Sequence, residues 1–162
     1  MKESNNMKAD YVQYVAKGMI LLHSAETRDA ILQLLKGKNP VQMVANATVV
    51  IIQKLDSVTR NAGQEIQDVV KLFAAHEFVK QIAEIAEAAR LFKLDDAHQE
   101  LALSVAVQNY VRSEISAGRI DPVRLEAQVA KETRAMPIDQ RKEMMQSIAR
   151  IQKTAIADRG VQ

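Results

Sequence analysis

Histidines and paired acidic residues are the side chains of this chain whose types and spacing could do chemistry. The 162 residues include three histidines and no cysteine, which excludes disulfides, thiol nucleophiles and thiolate-ligated zinc. A di-metal site in a helical bundle uses paired Glu-x-x-His turns, whereas the closest match here is a single Asp95-x-x-His98. We therefore predict no metal site. His98 is expected on the surface at the start of a helix, and His76 in a core or an interface.

Glu84 and Glu87 are the second candidates, because carboxylates three residues apart share one face of a helix and can act as an acid–base pair. We interpret both as solvent-facing residues of an Ala-rich helix. The five glycines stand far apart, at positions 18, 37, 63, 118 and 160, so no loop can present several backbone amides to a phosphate group. The sequence predicts neither catalytic residues nor a cofactor, and hence a protein that is not an enzyme.

Composition indicates a chain built of helices. Apolar residues make up 48% of it and are mainly aliphatic, since aromatic residues supply only 4%, and five Gly and three Pro are too few for a meander of short strands. The expected fold class is all-α. The first apolar run, Gly18 to Leu22, is much shorter than a signal-peptide core or a membrane span. We therefore expect no membrane partner, and a protein that is cytoplasmic or is made in the cytoplasm of a host.

The first two helices are expected to form a helical hairpin or one kinked helix, and the sequence leaves both open. A stripe of apolar residues predicts a helix from about Ala9 to His23, and it comprises Tyr11, Val15, Met19 and Leu22. Ser24 offers an N-cap for a second helix, from Ala25 to Lys36. Its apolar face holds Ile31, Leu34 and Leu35. Gly37 is expected to follow that helix in the left-handed conformation.

Three further helices are expected before Gly118. Asn39-Pro40 is a start signal, because Asn caps free amides and proline needs no donor in the first turn. A helix should run from there to about Ala62, where Gly63 interrupts it. Its apolar arc is wide enough for a helix covered on two sides and comprises Val44, Thr48, Val49, Val50, Ile51, Ile52, Leu55 and Val58. The longest helix is predicted at Glu65 to Lys93. Leu94-Asp95-Asp96 then starts a helix that ends at Gly118.

The sequence predicts three parts: a polar N-terminal segment at residues 1–8, a bundle of about five helices at residues 9–118, and a helical C-terminal arm at residues 119–162. Asp121-Pro122 and Met136-Pro137 divide the arm. Its last part carries a narrow apolar stripe, which can close the core of its own chain or lie in the groove of a partner. Both alternatives remain open. We predict that the arm makes the main contact with another chain through Met144, Met145, Ile148 and Ile151.

Charge argues against a nucleic-acid partner. The chain has 22 basic and 20 acidic residues, a net charge of +2. Basic residues of the arm alternate with acidic ones, and residues 119–162 contain no aromatic side chain that could stack on a base. Nucleic acid is therefore not expected among the partners.

Two segments carry a resemblance to a known group of proteins. They are Gly37-Lys38-Asn39-Pro40-Val41, continued by Ala45 and the run from Ala47 to Leu55, and the later run from Ala83 to Phe92. Together they make about the first two-thirds of the chain resemble small helical proteins encoded among the virion structural genes of tailed bacteriophages. The resemblance implies a portal, neck, tail or capsid-associated subunit. It carries over no catalytic residue, and it does not extend to the arm from Asp121 onward.

Two classes of function follow. The first is a non-enzymatic structural subunit of a multi-protein assembly, a component of a tailed-phage virion, whose partners are other copies of the chain or other virion proteins. The alternative is a small helical adaptor or regulatory protein that binds a protein or nucleic-acid partner. The mass of the purified protein in solution discriminates between them, because a subunit of an assembly associates and an isolated adaptor does not.

Overall fold

The computed structural model describes residues 2–134, except for the side chains of residues 2–5, 132 and 133, and every regular element in this range is an α-helix. The helices are α1 (Lys2–His23), α2 (Ala25–Leu34), α3 (Pro40–Asn61), α4 (Asp68–Ala88), α5 (Asp96–Ser116) and α6 (Pro122–Arg134). No β-strand occurs in the described range, so the predicted all-α class is confirmed. None of these six helices has the length and apolar character needed to cross a membrane.

The chain divides into two compact units, and the border lies within α5: the first unit ends at Ala106 and the second begins at Val107. In the first unit α1 packs against α2, α3 and α4, while α4 also packs against α2 and α3, and α2 packs against α3. These four helices enclose a common core. Its largest fully buried side chains are Tyr14, Leu22, Ile31, Leu35, Val44, Ile51, Ile52, Val69, Val70, Phe78 and Ile82.

Helix α1 differs from its prediction in its start and in its buried face. It begins at Lys2 rather than Ala9, because residues 2–8 contain neither glycine nor proline and so nothing breaks the helix there. Its buried residues are Tyr14, Gly18 and Leu22. Three members of the predicted stripe, Tyr11, Val15 and Met19, are only half-buried. The buried face of α1 is rotated relative to the predicted stripe because α4 approaches α1 at Gly18. A Cβ atom at that position would overlap the ring of Phe78.

The junction of α1 and α2 is a single residue, Ser24, in an extended conformation, which resolves the alternatives in favour of two separate helices. The Ser24 hydroxyl donates to the carbonyl oxygen of Leu21 at 2.8 Å and does not cap α2, contrary to the prediction. Helix α2 ends at Leu34, and Leu34 is exposed, not part of the buried face. The left-handed conformation predicted for Gly37 was also wrong. Gly37 instead leaves room for the sulfur atom of Met43.

Helix α3 begins and ends as predicted. The Asn39 side chain accepts a hydrogen bond from the backbone N–H of Gln42 at 3.2 Å, and Pro40 occupies the first turn. The four β-branched residues from Val49 to Ile52 are helical. Val58 was expected on the apolar arc but is exposed, whereas Asp56 is buried. The buried arc is therefore turned away from Val58 and toward Asp56.

Helix α4 ends at Ala88, earlier than predicted, and at 21 residues it is shorter than α1 and α3, which have 22 each. The cause is Arg90, which adopts the left-handed conformation with φ of 58°. The N–H of Leu91 then binds the carbonyl oxygen of Ala86 at 3.0 Å, which closes the end of the helix. Gly63, with φ of 72°, performs the same role after α3. Only the glycine was recognisable as a helix stop in the sequence.

The second unit is described from Val107 to Arg134 and contains the C-terminal half of α5 and all of α6. The predicted stop after α5 is confirmed, since Gly118 has φ of 71° and the N–H of Arg119 binds the Glu114 carbonyl oxygen at 2.9 Å. The Glu114 carboxylate is buried and receives two hydrogen bonds from the Arg119 guanidinium, at 2.8 and 2.9 Å. The predicted break at Met136-Pro137 lies outside the described residues.

We predict that Gly18→Ala lowers the free energy of unfolding. Overpacking by one methyl group costs about 1–3 kcal/mol, which exceeds the gain of about 1 kcal/mol from the higher helix propensity of alanine. Thermal unfolding followed by circular dichroism measures the effect. In a Phe78→Leu background the ring that the methyl group overlaps is gone, so the same substitution should be neutral or stabilising. An equal loss in both backgrounds would contradict the proposed contact.

Candidate functional site

Asp95 and His98 form a helix cap at the start of α5. The Asp95 carboxylate accepts a hydrogen bond from the backbone N–H of His98 at 2.8 Å. The Oδ1 atom of Asp95 also lies 2.6 Å from Nδ1 of the His98 ring. These hydrogen bonds, the backbone one foremost, lower the pKa of Asp95 below its ordinary range. Both side chains are exposed, so the predicted surface position of His98 is confirmed. In this geometry Asp95 caps the first turn of α5 and His98 is its partner.

His76 was predicted to lie in a core or an interface. It is exposed, so the prediction of a core position was wrong. Its Nδ1 atom lies 3.8 Å from Oε1 of Glu77. The helix geometry explains the error: His76 precedes the buried Phe78 by two residues and is thus about 200° around α4 from it. His76 thus lies just outside the buried face of α4, beside the half-buried Leu72 and Phe73.

Glu84 and Glu87 both lie on the exposed surface of α4, as predicted. Gln81 Nε2 donates to the Glu84 carboxylate at 3.2 Å, and Lys93 Nζ lies 3.5 Å from the Glu87 carboxylate. Each carboxylate is thus engaged by a different neighbour. Among the side chains that the structure describes, no three of histidine, aspartate or glutamate come together in a group that could hold a metal ion.

A buried polar cluster in the first unit was missed in the sequence. Lys71 Nζ on α4 lies 3.2 Å from Oδ1 of Asp56 on α3 and 3.5 Å from Oδ1 of Asp68. The hydroxyl of Tyr14 on α1 donates to the same Asp56 oxygen at 3.3 Å. The Asp56 side chain is 3% exposed and that of Lys71 is 13% exposed. The cluster therefore joins three helices through one carboxylate.

The Tyr14 phenol serves this cluster as a hydrogen-bond donor. Burial, followed by the charge and the hydrogen bond of Asp56, raises the pKa of Tyr14 far above its ordinary value of about 10. The phenol stays protonated at neutral pH and cannot act as a base there. Its ring packs against Phe78 with centroids 6.0 Å apart at 45°. One signal in the sequence could have revealed the cluster, because Asp56 follows Thr48 and Ile52 at four-residue intervals along the apolar arc of α3.

Helix α1 carries the most exposed large apolar residue described in the first unit, Ile20, and also Val12, which is as exposed as Val58 on α3. Ile20 is 74% exposed and Val12 is 57% exposed, and the exposed Ala16 lies between them at four-residue intervals. We call Val12, Ala16 and Ile20 the α1 outer stripe. It lies on the side of α1 opposite to the buried residues Tyr14, Gly18 and Leu22. Helix α1 therefore presents apolar residues both to the core and to the surface.

The interface predicted from the sequence cannot be compared with this stripe, because Met144, Met145, Ile148 and Ile151 lie outside the described residues. Within the described part of the arm, Val123 is exposed at the start of α6, while Leu125 and Val129 are half-buried. Comparison of the chain with models of known protein families, with characterised proteins and with solved structures finds no match. The geometry of the described residues is therefore what bears on function.

We predict that Tyr14→Phe lowers the free energy of unfolding at neutral pH by about 1–2 kcal/mol, because it keeps the ring but removes the donor to Asp56. A raised pKa contributes stability that is present below the ordinary tyrosine pKa and is lost as the pH rises above it. The difference between the two proteins should therefore shrink above a pH of about 10. Urea unfolding over a range of pH measures both effects.

Tyr11→Phe is the matched control, since Tyr11 lies three residues earlier on α1 and is only half-buried. It should change stability less at neutral pH. An identical stability and pH profile for the natural protein and Tyr14→Phe would show that the hydroxyl of Tyr14 does not hold Asp56.

Proposed function

We propose that this protein is a non-enzymatic structural subunit of a multi-protein assembly, and specifically a portal, neck, tail or capsid-associated component of a tailed-phage virion. The observation that carries the proposal is the α1 outer stripe, an exposed apolar surface on a helix whose other side is already buried in the bundle. The virion as location, with synthesis in the host cytoplasm, belongs to the same proposal.

The physical basis is the free energy available at the stripe. Moving an exposed valine or isoleucine side chain out of water contributes about 1.5–3 kcal/mol before the costs of association. A helix that is apolar on two opposite sides is typical of one covered on both sides. In α1 the bundle covers the side of Tyr14 and Leu22, and another chain would cover the side of Val12 and Ile20.

The described polar clusters support a structural role. Asp95 and His98 start a helix, Glu114 and Arg119 close one, and Asp56 joins three helices. In each cluster the polar atoms bind one another or the backbone at distances of ordinary hydrogen bonds and ion pairs. Their arrangement positions helices, as expected of a scaffold.

The resemblance to virion structural proteins supports the particular kind of assembly. The residues that carry it fall within the first unit: the earlier segment covers the loop before α3 and most of α3, and the later one covers the end of α4 and the four residues after it. Several of these residues are fully buried, among them Ala45, Ala47, Ile51, Ile52 and Ala86. The resemblance therefore lies mainly in residues that pack the helical bundle. Other copies of the chain and other virion proteins are the proposed partners.

Association is tested by Ile20→Glu, which places a charge in the α1 outer stripe. Analytical ultracentrifugation of the full-length protein over a wide concentration range should show species larger than the monomer, and Ile20→Glu should shift them toward the monomer. Gln53→Glu is the matched control, because Gln53 is exposed on α3 and gains the same charge. Thermal unfolding should be similar in all three proteins. A natural protein that stays monomeric throughout would contradict the proposal.

The virion location is tested on particles. If the chain is a structural component, its peptides should occur in purified particles at a fixed ratio to the major capsid protein, as measured by quantitative mass spectrometry. The ratio should survive treatments that strip loosely bound host proteins. Finding the protein in the lysate of infected cells but not in the particles would refute this location and favour an adaptor that acts in the cell.

A further inference from the structure

We draw no further inference here: the strongest candidate, the exposed apolar surface of α1 formed by Val12, Ala16 and Ile20, belongs to the function proposed above, and nothing in the structure shows which partner covers it.

Discussion

The close approach of α1 to α4 at Gly18 is the constraint on which the rest of the first unit depends. Residue 18 has no side chain, and the Phe78 ring occupies the space where a Cβ atom would lie. The ring in turn packs on Tyr14, one turn earlier on α1. This contact fixes how α1 is rotated about its own axis. Tyr14 and Leu22 consequently point into the bundle, and Val12 and Ile20 point out of it.

The buried polar cluster depends on that rotation. Because α1 presents Tyr14 to the core, the phenol reaches the Asp56 carboxylate, which Lys71 also contacts from α4. Removing two charges from water is costly, and a buried ion pair often contributes little net stability compared with apolar residues of similar size. Its effect is on specificity, since other rotations of α1 or α4 would leave a buried charge without its partners. The apolar contact and the polar cluster thus select the same arrangement.

This arrangement connects the core with the proposed interaction surface. The residues that bury α1 and those that form its outer stripe alternate on one helix, so the packing of Gly18 against Phe78 determines which residues another chain can meet. A surface held in this way needs no rearrangement before association, which lowers the cost of ordering side chains at the interface. Such rigid, largely helical surfaces suit a subunit whose role is to pack against copies and neighbours.

The sequence by itself determined the fold class and most helix starts. Asn39 and Asp95 cap their helices as expected because a capping side chain acts on amides two or three residues away, and such local signals are visible in the sequence. The stops at Gly63 and Gly118 were visible for the same reason. Arg90 was not, since only its surroundings in the folded chain hold a non-glycine residue in the left-handed conformation.

Tertiary structure alone decided which side of each helix is buried. Periodicity places residues on a common face, but the direction of that face relative to the core depends on where neighbouring helices approach. His76 and Val58 therefore turned out exposed, and Asp56 buried, although each lies in a segment predicted to be helical. The α1 outer stripe was missed for this reason too: Val12 and Ile20 become a surface only because Gly18 draws the opposite side of α1 against Phe78.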